Sequence, residues 1–246
     1  MNIVIVGDGK VGSTLAEQLS AEGHDVTVID NRAESLDQSM NLLDVNCVEG
    51  NGASYTVQME AGVPKADLLI AATSGDELNI LCCMVAKKLG AKHTIARVRN
   101  PEYQQQMIFL KDELGLSMAI NPEMAAAGDI SRMLRFSSAL NVEPFAKGRV
   151  EIVEFRVKED SPLIGLSLME LPRRFRQCRI LVCVVIRNGE AIIPKGDFTI
   201  AQGDRLSVVA APQDINAFFR STGSMHRRIK EVMIVGGGRI AYYLAR

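Results

Sequence analysis

The five cysteines (Cys47, Cys82, Cys83, Cys178 and Cys183) contain no Cys-x-x-Cys pair, and no His/Cys grouping has zinc spacing. An odd thiol count without a secretory leader gives the expectation of reduced, cytosolic cysteines and no metal site. Cys82 and Cys83 fall in an apolar helical pattern, which favours packing. No apolar run is long enough to cross a bilayer, so any service to a membrane is from the side. The net charge of −1 argues against nucleic acid, or a bare membrane surface, as a partner held by charge. Histidine is nearly absent. His24 lies in a helix–strand turn, His93 begins a strand, and His226 sits in a linker. No tyrosine is followed four residues later by lysine, and there is no Gly-x-Ser-x-Gly elbow. The proton donor a dehydrogenase needs beside its nicotinamide is therefore not evident, and an NAD-dependent oxidoreductase stands only as the alternative function.

What is present is an alternation. Of 246 residues, 47% are hydrophobic, enough to bury one or two cores. Short apolar runs at 2–6, 25–29, 45–48, 67–70, 93–98 and 117–120 read as strands. Amphipathic stretches at 11–22, 32–40, 53–61, 77–89 and 102–114 read as helices between them, with Asn100 and Pro101 as a cap and first helical residue. Strands separated by helices of this length pair in parallel, because parallel neighbours need a long crossover. The expected fold class is α/β: a Rossmann-like doubly wound parallel sheet over 1–121. A longer helix follows at 123–138, within a bridging segment 122–140. A small α+β lobe over 141–224 carries strand patterns at 151–157, 180–186 and 205–211. Its Asn188 and Gly189 mark a hairpin, and 212–220 reads as a closing helix. Arg227, Arg228 and Lys230 form a linker, and 225–246 restarts the opening motif: Gly236 follows Gly7 by 236 − 7 = 229 positions. The expectation is a tandem repeat cut just inside its second copy; the alternative is a strand–helix pair that closes the second lobe.

The chemistry concentrates in the first lobe. Gly7-Asp8-Gly9-Lys10-Val11-Gly12 follows a predicted strand and opens a predicted helix, the context in which Gly-x-Gly-x-x-Gly binds a phosphate. Gly7 serves the tight turn, Gly9 leaves room for a pyrophosphate, and Gly12 lets helix and strand approach. Free N–H groups and the helix dipole favour the anion. A P-loop is excluded, since Ser13 rather than lysine follows Gly12. Asp30, at the end of the second strand and followed by Asn31 and Arg32, is placed to accept both ribose hydroxyls and to repel a 2′-phosphate. Arg32 is either an adenine-stacking group or a solvated helix residue. Asn51, between Gly50 and Gly52, borders the adenine side. Thr73 or Ser74 contacts phosphate or ribose, and Asp76 is either a further contact or a helix N-cap. Arg97 and Arg99 share a side by strand alternation. Arg97 closes over a ligand phosphate and Arg99 meets an acid near a subunit contact, or both are surface salt bridges.

The stretches IVIVGDGKVGSTLAEQL, VIDNR, VEGNGAS, ADLLIAATSGDELNILCCMVAKKLG, IARVRNPEY and SPLIGLSLMEL…IPKGDFTIAQGDRLSVVA together resemble the TrkA-type peripheral proteins of bacterial Trk potassium uptake systems. These carry RCK (KTN) domains, a Rossmann-like N-lobe followed by a TrkA-C lobe, often in tandem. The resemblance implies a non-enzymatic regulator on the inner face of the cell membrane. It would gate a potassium-translocating subunit (TrkH/TrkG-like) and assemble through its RCK domains as a homodimer or larger oligomer. It also implies NAD(H), ATP or ADP as ligand, held by Gly7, Asp8, Gly9, Lys10, Val11, Asp30, Thr73, Ser74 and Arg97. The second copy departs from the pattern, reading Gly-x-Gly-x-x-Ala. The C-lobe can be a small-ligand or ion sensor in relatives, but no residue here identifies its ligand.

Overall fold

The computed structural model describes residues 1–135, 139–146, 148–176, 178–223, 229 and 231–246, with backbone alone for 104, 105, 108 and 109. The linker residues His226, Arg227, Arg228 and Lys230, and the last three positions of the expected 123–138 helix, lie outside the described residues. The chain divides into two units, Met1–Ala125 and Ala126–Arg246.

Unit 1 is the expected doubly wound sheet. β1 (Asn2–Val6), α1 (Lys10–Ala21), β2 (Asp25–Asp30), α2 (Ala33–Leu42), β3 (Asn46–Glu49) and α3 (Tyr55–Glu60) are followed by a single 3-10 turn at Val63–Lys65. β4 (Leu68–Ala71), α4 (Asp76–Leu89), β5 (His93–Arg97), α5 (Pro101–Leu110) and β6 (Met118–Ile120) complete the sheet, in the order β3-β2-β1-β4-β5-β6. β1 shows no alternation because both faces are buried: Ile3, Val4, Ile5 and Val6 are all core. It pairs in parallel with β2 on one side and β4 on the other, so strand order reverses at β1/β4. Register sets Val6 beside Ile29 and Ala71, and Ala71 beside Ala96, which brings four strand ends level on one edge. Crevices at such reversals are where open α/β sheets bind ligands.

Two helices are shorter than expected, for local reasons. α3 starts two residues late because the Asn51 side-chain oxygen first accepts the Ala53 amide. α5 ends at Leu110, and a turn to Gly115 (φ +70°) closes it. Its start is as read: Asn100 accepts the Glu102 amide at 3.0 Å, with Pro101 first in the helix.

α6 (Pro122–Arg135) carries the chain into unit 2, where β7 (Ala139–Phe145), β8 (Val150–Arg156), β9 (Leu181–Arg187), β10 (Glu190–Ile192) and β11 (Arg205–Ala210) form an antiparallel sheet, β10-β9-β11-β8-β7, with the short helix α7 (Leu171–Arg174) between β8 and β9 in the chain. Asn188 (φ +55°) and Gly189 (φ +85°) make the β9–β10 turn, both in the left-handed region a two-residue hairpin demands. β7 is a correction: Leu140, read as trailing the long helix, lies in this edge strand. β7 is exposed along most of its length and carries no alternation to betray it. α8 (Pro212–Ser221) closes the lobe and buries Ile215, Phe218 and Phe219. α9 (Arg239–Leu244) ends the chain. The apolar run before it, read as a strand, is not one; Met233 and Val235 are 90% and 92% exposed. Among the described residues no helix is long and apolar enough to cross a membrane.

The core of unit 2 is aromatic. The Phe218 ring sits 5.5 Å from Phe175, 5.8 Å from Phe219 and 6.1 Å from Phe155. Phe218→Ala is expected to cost about 3–5 kcal/mol. A denaturant titration reads this as a lower midpoint for unit 2 at an unchanged slope.

Candidate functional site

At the carboxyl ends of β1, β2, β4 and β5 lies a cleft of about 710 Å³. Its floor is the turn Gly7 to Val11. Gly7 takes φ +101°, and a Cβ there would stand 2.9 Å from the Thr73 amide nitrogen. At Gly12 a Cβ would meet the Gly7 carbonyl oxygen at 1.8 Å, so only glycine allows α1 to close on the turn. Gly9, the N-cap of α1, has no atom within 4 Å of a built Cβ. Open space therefore stands over the helix end, where the first-turn amides lack helical partners. Gly9, Lys10 and Val11 line the cleft, so those donors and the dipole's positive end face it.

Asp30 lines the opposite wall of this floor. Its Oδ2 accepts the Asp8 amide at 2.7 Å, and its Oδ1 accepts the Arg32 amide at 3.0 Å and Nε at 3.3 Å. Burial opposes ionisation, but these bonds from Asp8 and Arg32 outweigh it and hold the carboxyl below its ordinary value. An ionised acceptor at this position suits hydroxyl donors and opposes a phosphate. Arg32, left between stacking and solvation by the sequence, is tethered to Asp30 with 61% of its side chain exposed.

Of the other expected positions, Asn31, Asn51, Thr73, Ser74 and Arg97 line the cleft; Asp8, Gly12 and Asp76 do not. Asp8 turns its side chain into the protein: 7% exposed, Oδ2 accepts Ser39 Oγ of α2 at 2.8 Å, and Oδ1 has no hydrogen-bond partner among the described residues. Burial, and then the Asp30 carboxylate, push its carboxyl up from its usual value; the Ser39 bond and Arg32 pull the other way. Asp76 is neither ligand-facing nor the cap, since Gly75 is the N-cap of α4. It accepts the Arg99 amide at 2.8 Å, the Asn100 amide at 2.7 Å and Arg99 Nε at 3.2 Å, and so binds the loop after β5 to the start of α4. Those bonds hold its carboxyl low against burial. Arg99 therefore meets its acid within unit 1, and also donates to the Ser74 carbonyl.

Asn79, absent from the sequence reading, organises the far wall. Fully buried on α4, its Oδ1 accepts the Thr73 amide (2.8 Å) and hydroxyl (2.7 Å), while Nδ2 donates to the Arg97 carbonyl at 2.9 Å. The only sequence signal was a carboxamide inside an apolar helical run. The Thr73 hydroxyl donates to Asn79 and accepts the Gly75 amide at 3.3 Å, which leaves one acceptor position, suited to a ribose hydroxyl rather than a phosphate. Arg97 donates from Nη2 to Glu123 Oε1 at 2.9 Å. Arg97 and Arg99 thus share the cleft side as alternation required, but their ion pairs are largely buried, not surface bridges.

Comparison with known proteins covers both units. The TrkA-N domain profile matches residues 3–122 and the TrkA-C domain profile residues 152–223. The chain is 32% identical over 249 aligned residues to the Trk system potassium uptake protein TrkA of Haemophilus influenzae, covering 100% of this chain and 54% of the relative. It is 36% identical over 247 residues to that of Halomonas elongata (100% and 54%), and 35% over 246 residues to a TrkA homolog of Archaeoglobus fulgidus (100% and 55%). The chain therefore spans about half the length of these curated relatives. Among solved structures it shares its fold with the GsuK channel bound to NAD (TM-score 0.65, 19% identity, 99% of this chain and 43% of that one). It shares it equally with the GsuK RCK domain (0.63, 20%, 99% and 52%).

The buried Asp8 carboxylate makes a testable signature. A carboxyl raised in the folded state destabilises the fold while ionised, and that cost is relieved as pH falls through its folded value. Asp8→Asn keeps an acceptor for Ser39 and removes the charge. It should melt above wild type near pH 7–8, and the gap should vanish in acid.

Proposed function

We propose that this chain, a TrkA-N domain followed by a TrkA-C domain, is a nucleotide-sensing regulatory subunit that gates a potassium uptake membrane protein. One observation carries the reading: a bare helix end and an ionised carboxylate face each other across a cleft at the strand-order reversal. Adenosine-bearing phosphates present the matching groups. On this reading Gly7, Gly9, Lys10 and Val11 cradle phosphate, Asp30 takes the ribose hydroxyls, and Asn31, Arg32 and Asn51 border the adenine. Thr73 and Ser74 meet the ligand's far end, with Arg97 on a phosphate. Asp8, Gly12 and Asp76 support the site from behind it. NAD(H), ATP and ADP are the ligands proposed. The fold it shares with a channel solved bound to NAD is compatible with a dinucleotide.

The partner follows from the relatives' name, potassium uptake protein. We place the chain on the inner face of the cell membrane, assembled through its RCK domains as a homodimer or larger oligomer against a TrkH/TrkG-like subunit. A nucleotide shifts such a gate only by its differential affinity for two conformations. α6, which carries the chain from unit 1 to unit 2, is the proposed transmitting element. NADH is bound without being oxidised.

Thermal melts of the chain with NADH, ATP and ADP test the binding. Ligand should raise Tm by mass action, NADP should do so far less, and NADH absorbance should stay constant. Asp30→Ala removes a charged acceptor and should weaken binding by about 1.5–3 kcal/mol. A Tm indifferent to millimolar nucleotide would sink the proposal; so would a reconstituted potassium flux that ignores every nucleotide that binds.

A further inference from the structure

We infer that Glu123 is an internal anion that occupies Arg97 while the cleft is empty and yields it to a ligand phosphate, setting the affinity of the site. The inference rests on the nucleotide reading of the cleft and adds a residue that neither motif nor fold assigns to it.

Arg97 lines the cleft at the end of β5, and Glu123 lies in the first turn of α6. They meet at 2.9 Å with side chains only 15% and 17% exposed, so little water screens them. Yet the pair is half made. Arg97 Nε and Glu123 Oε2 are both buried, and neither has a hydrogen-bond partner among the described residues. The neighbouring Asp76, by contrast, receives three bonds from Arg99 and Asn100, and in unit 2 Asp204 receives both Nε and Nη2 of Arg187. A buried pair with unfilled donor and acceptor positions is costly to hold and therefore inexpensive to exchange. A phosphate offers a guanidinium several acceptor oxygens in the parallel geometry that Glu123 Oε1 alone does not.

Glu123 has somewhere to go when it lets go. A carboxylate in the first turn of a helix is favoured by the dipole. The α6 start is fastened independently: Asn121 Oδ1 accepts the Met124 amide at 3.0 Å, and its Nδ2 donates to the Arg99 carbonyl at 3.3 Å. Arg97 and Arg99 thus hold the same helix end, Arg99 by its backbone and Arg97 by its side chain. Loss of the side-chain tie on ligand binding changes what holds the first turn of α6, the element that leaves unit 1.

The exchange predicts a gain of binding, which damage to the fold does not produce. Calorimetric titration of the 246-residue chain with ADP and with adenosine is the measurement. E123Q and E123A should each bind ADP about tenfold more tightly than wild type, with adenosine unchanged. R97Q should bind ADP more weakly, and E123Q should add nothing on that background. A readout without substitution is the Arg97 Nε–H proton resonance, which should shift when ADP supplies its missing acceptor. ADP binding that depends on Asp30, but is no tighter in either Glu123 variant and leaves that resonance unmoved, overturns this inference and spares the nucleotide site. No ADP binding by wild type or any variant overturns both.

Discussion

One hydrogen bond, from the Asp8 amide to Asp30 Oδ2, organises the cleft. It joins the turn after β1 to the end of β2, two segments 22 residues apart that parallel pairing has already brought level. It forms because Gly7 adopts a positive φ and Gly12 has no Cβ to keep α1 off the turn. It also does electrostatic work. Donating an amide to the carboxylate keeps Asp30 ionised despite burial, while the helix end beside it stays bare. A negative group for hydroxyls and a positive one for phosphate are thereby held side by side without neutralising each other. The arrangement has a cost, visible in Asp8, whose own carboxyl is pressed into the protein beside Asp30 with one oxygen unpartnered among the described residues.

The far wall is built on the opposite plan. There the charged groups are paired before any ligand arrives: Arg99 with Asp76, Arg97 with Glu123, and Thr73 spent on Asn79. Such a wall reads shape and hydroxyls more than charge. Of the four cations lining the cleft (Lys10, Arg32, Arg97, Arg99), the three arginines are each paired with an acid, so a phosphate reaches an arginine only by displacing a carboxylate.

The parts of this design legible in the sequence are those fixed by backbone geometry. β1 was readable to the residue because an apolar run without alternation has one use in such a fold. The roles of Gly7 and Gly12 followed from the demands of the turn, and the shared side of Arg97 and Arg99 from the two-residue period of a strand. Asp8 and Asp76 were misplaced because the direction of a side chain is decided by neighbours far along the chain: Ser39 for one, the loop after β5 for the other. Asn79 and Glu123 escaped for the same reason, since each matters only once β4, β5 and the start of α6 are adjacent. β7 escaped because a strand exposed along most of its length has no pattern to read. The family resemblance was legible throughout, since its motifs are these same backbone-fixed turns and strands.

The repeated motif separates the local from the tertiary contribution. Gly236 takes φ +106° against +101° at Gly7. Gly238 caps α9 at φ −73°, ψ −179°, where Gly9 caps α1 at φ −82°, ψ −175°. The two turns share a backbone shape although the second has no strand in front of it and its apolar residues lie open. Gly-x-Gly followed by a helix start thus takes the same backbone turn at both places. The site asks for more than the turn: around the first turn stand Asp30, Thr73 and the levelled ends of β1, β2, β4 and β5. Binding chemistry in this fold is therefore a property of register between strands, and the glycines are the condition that lets register act.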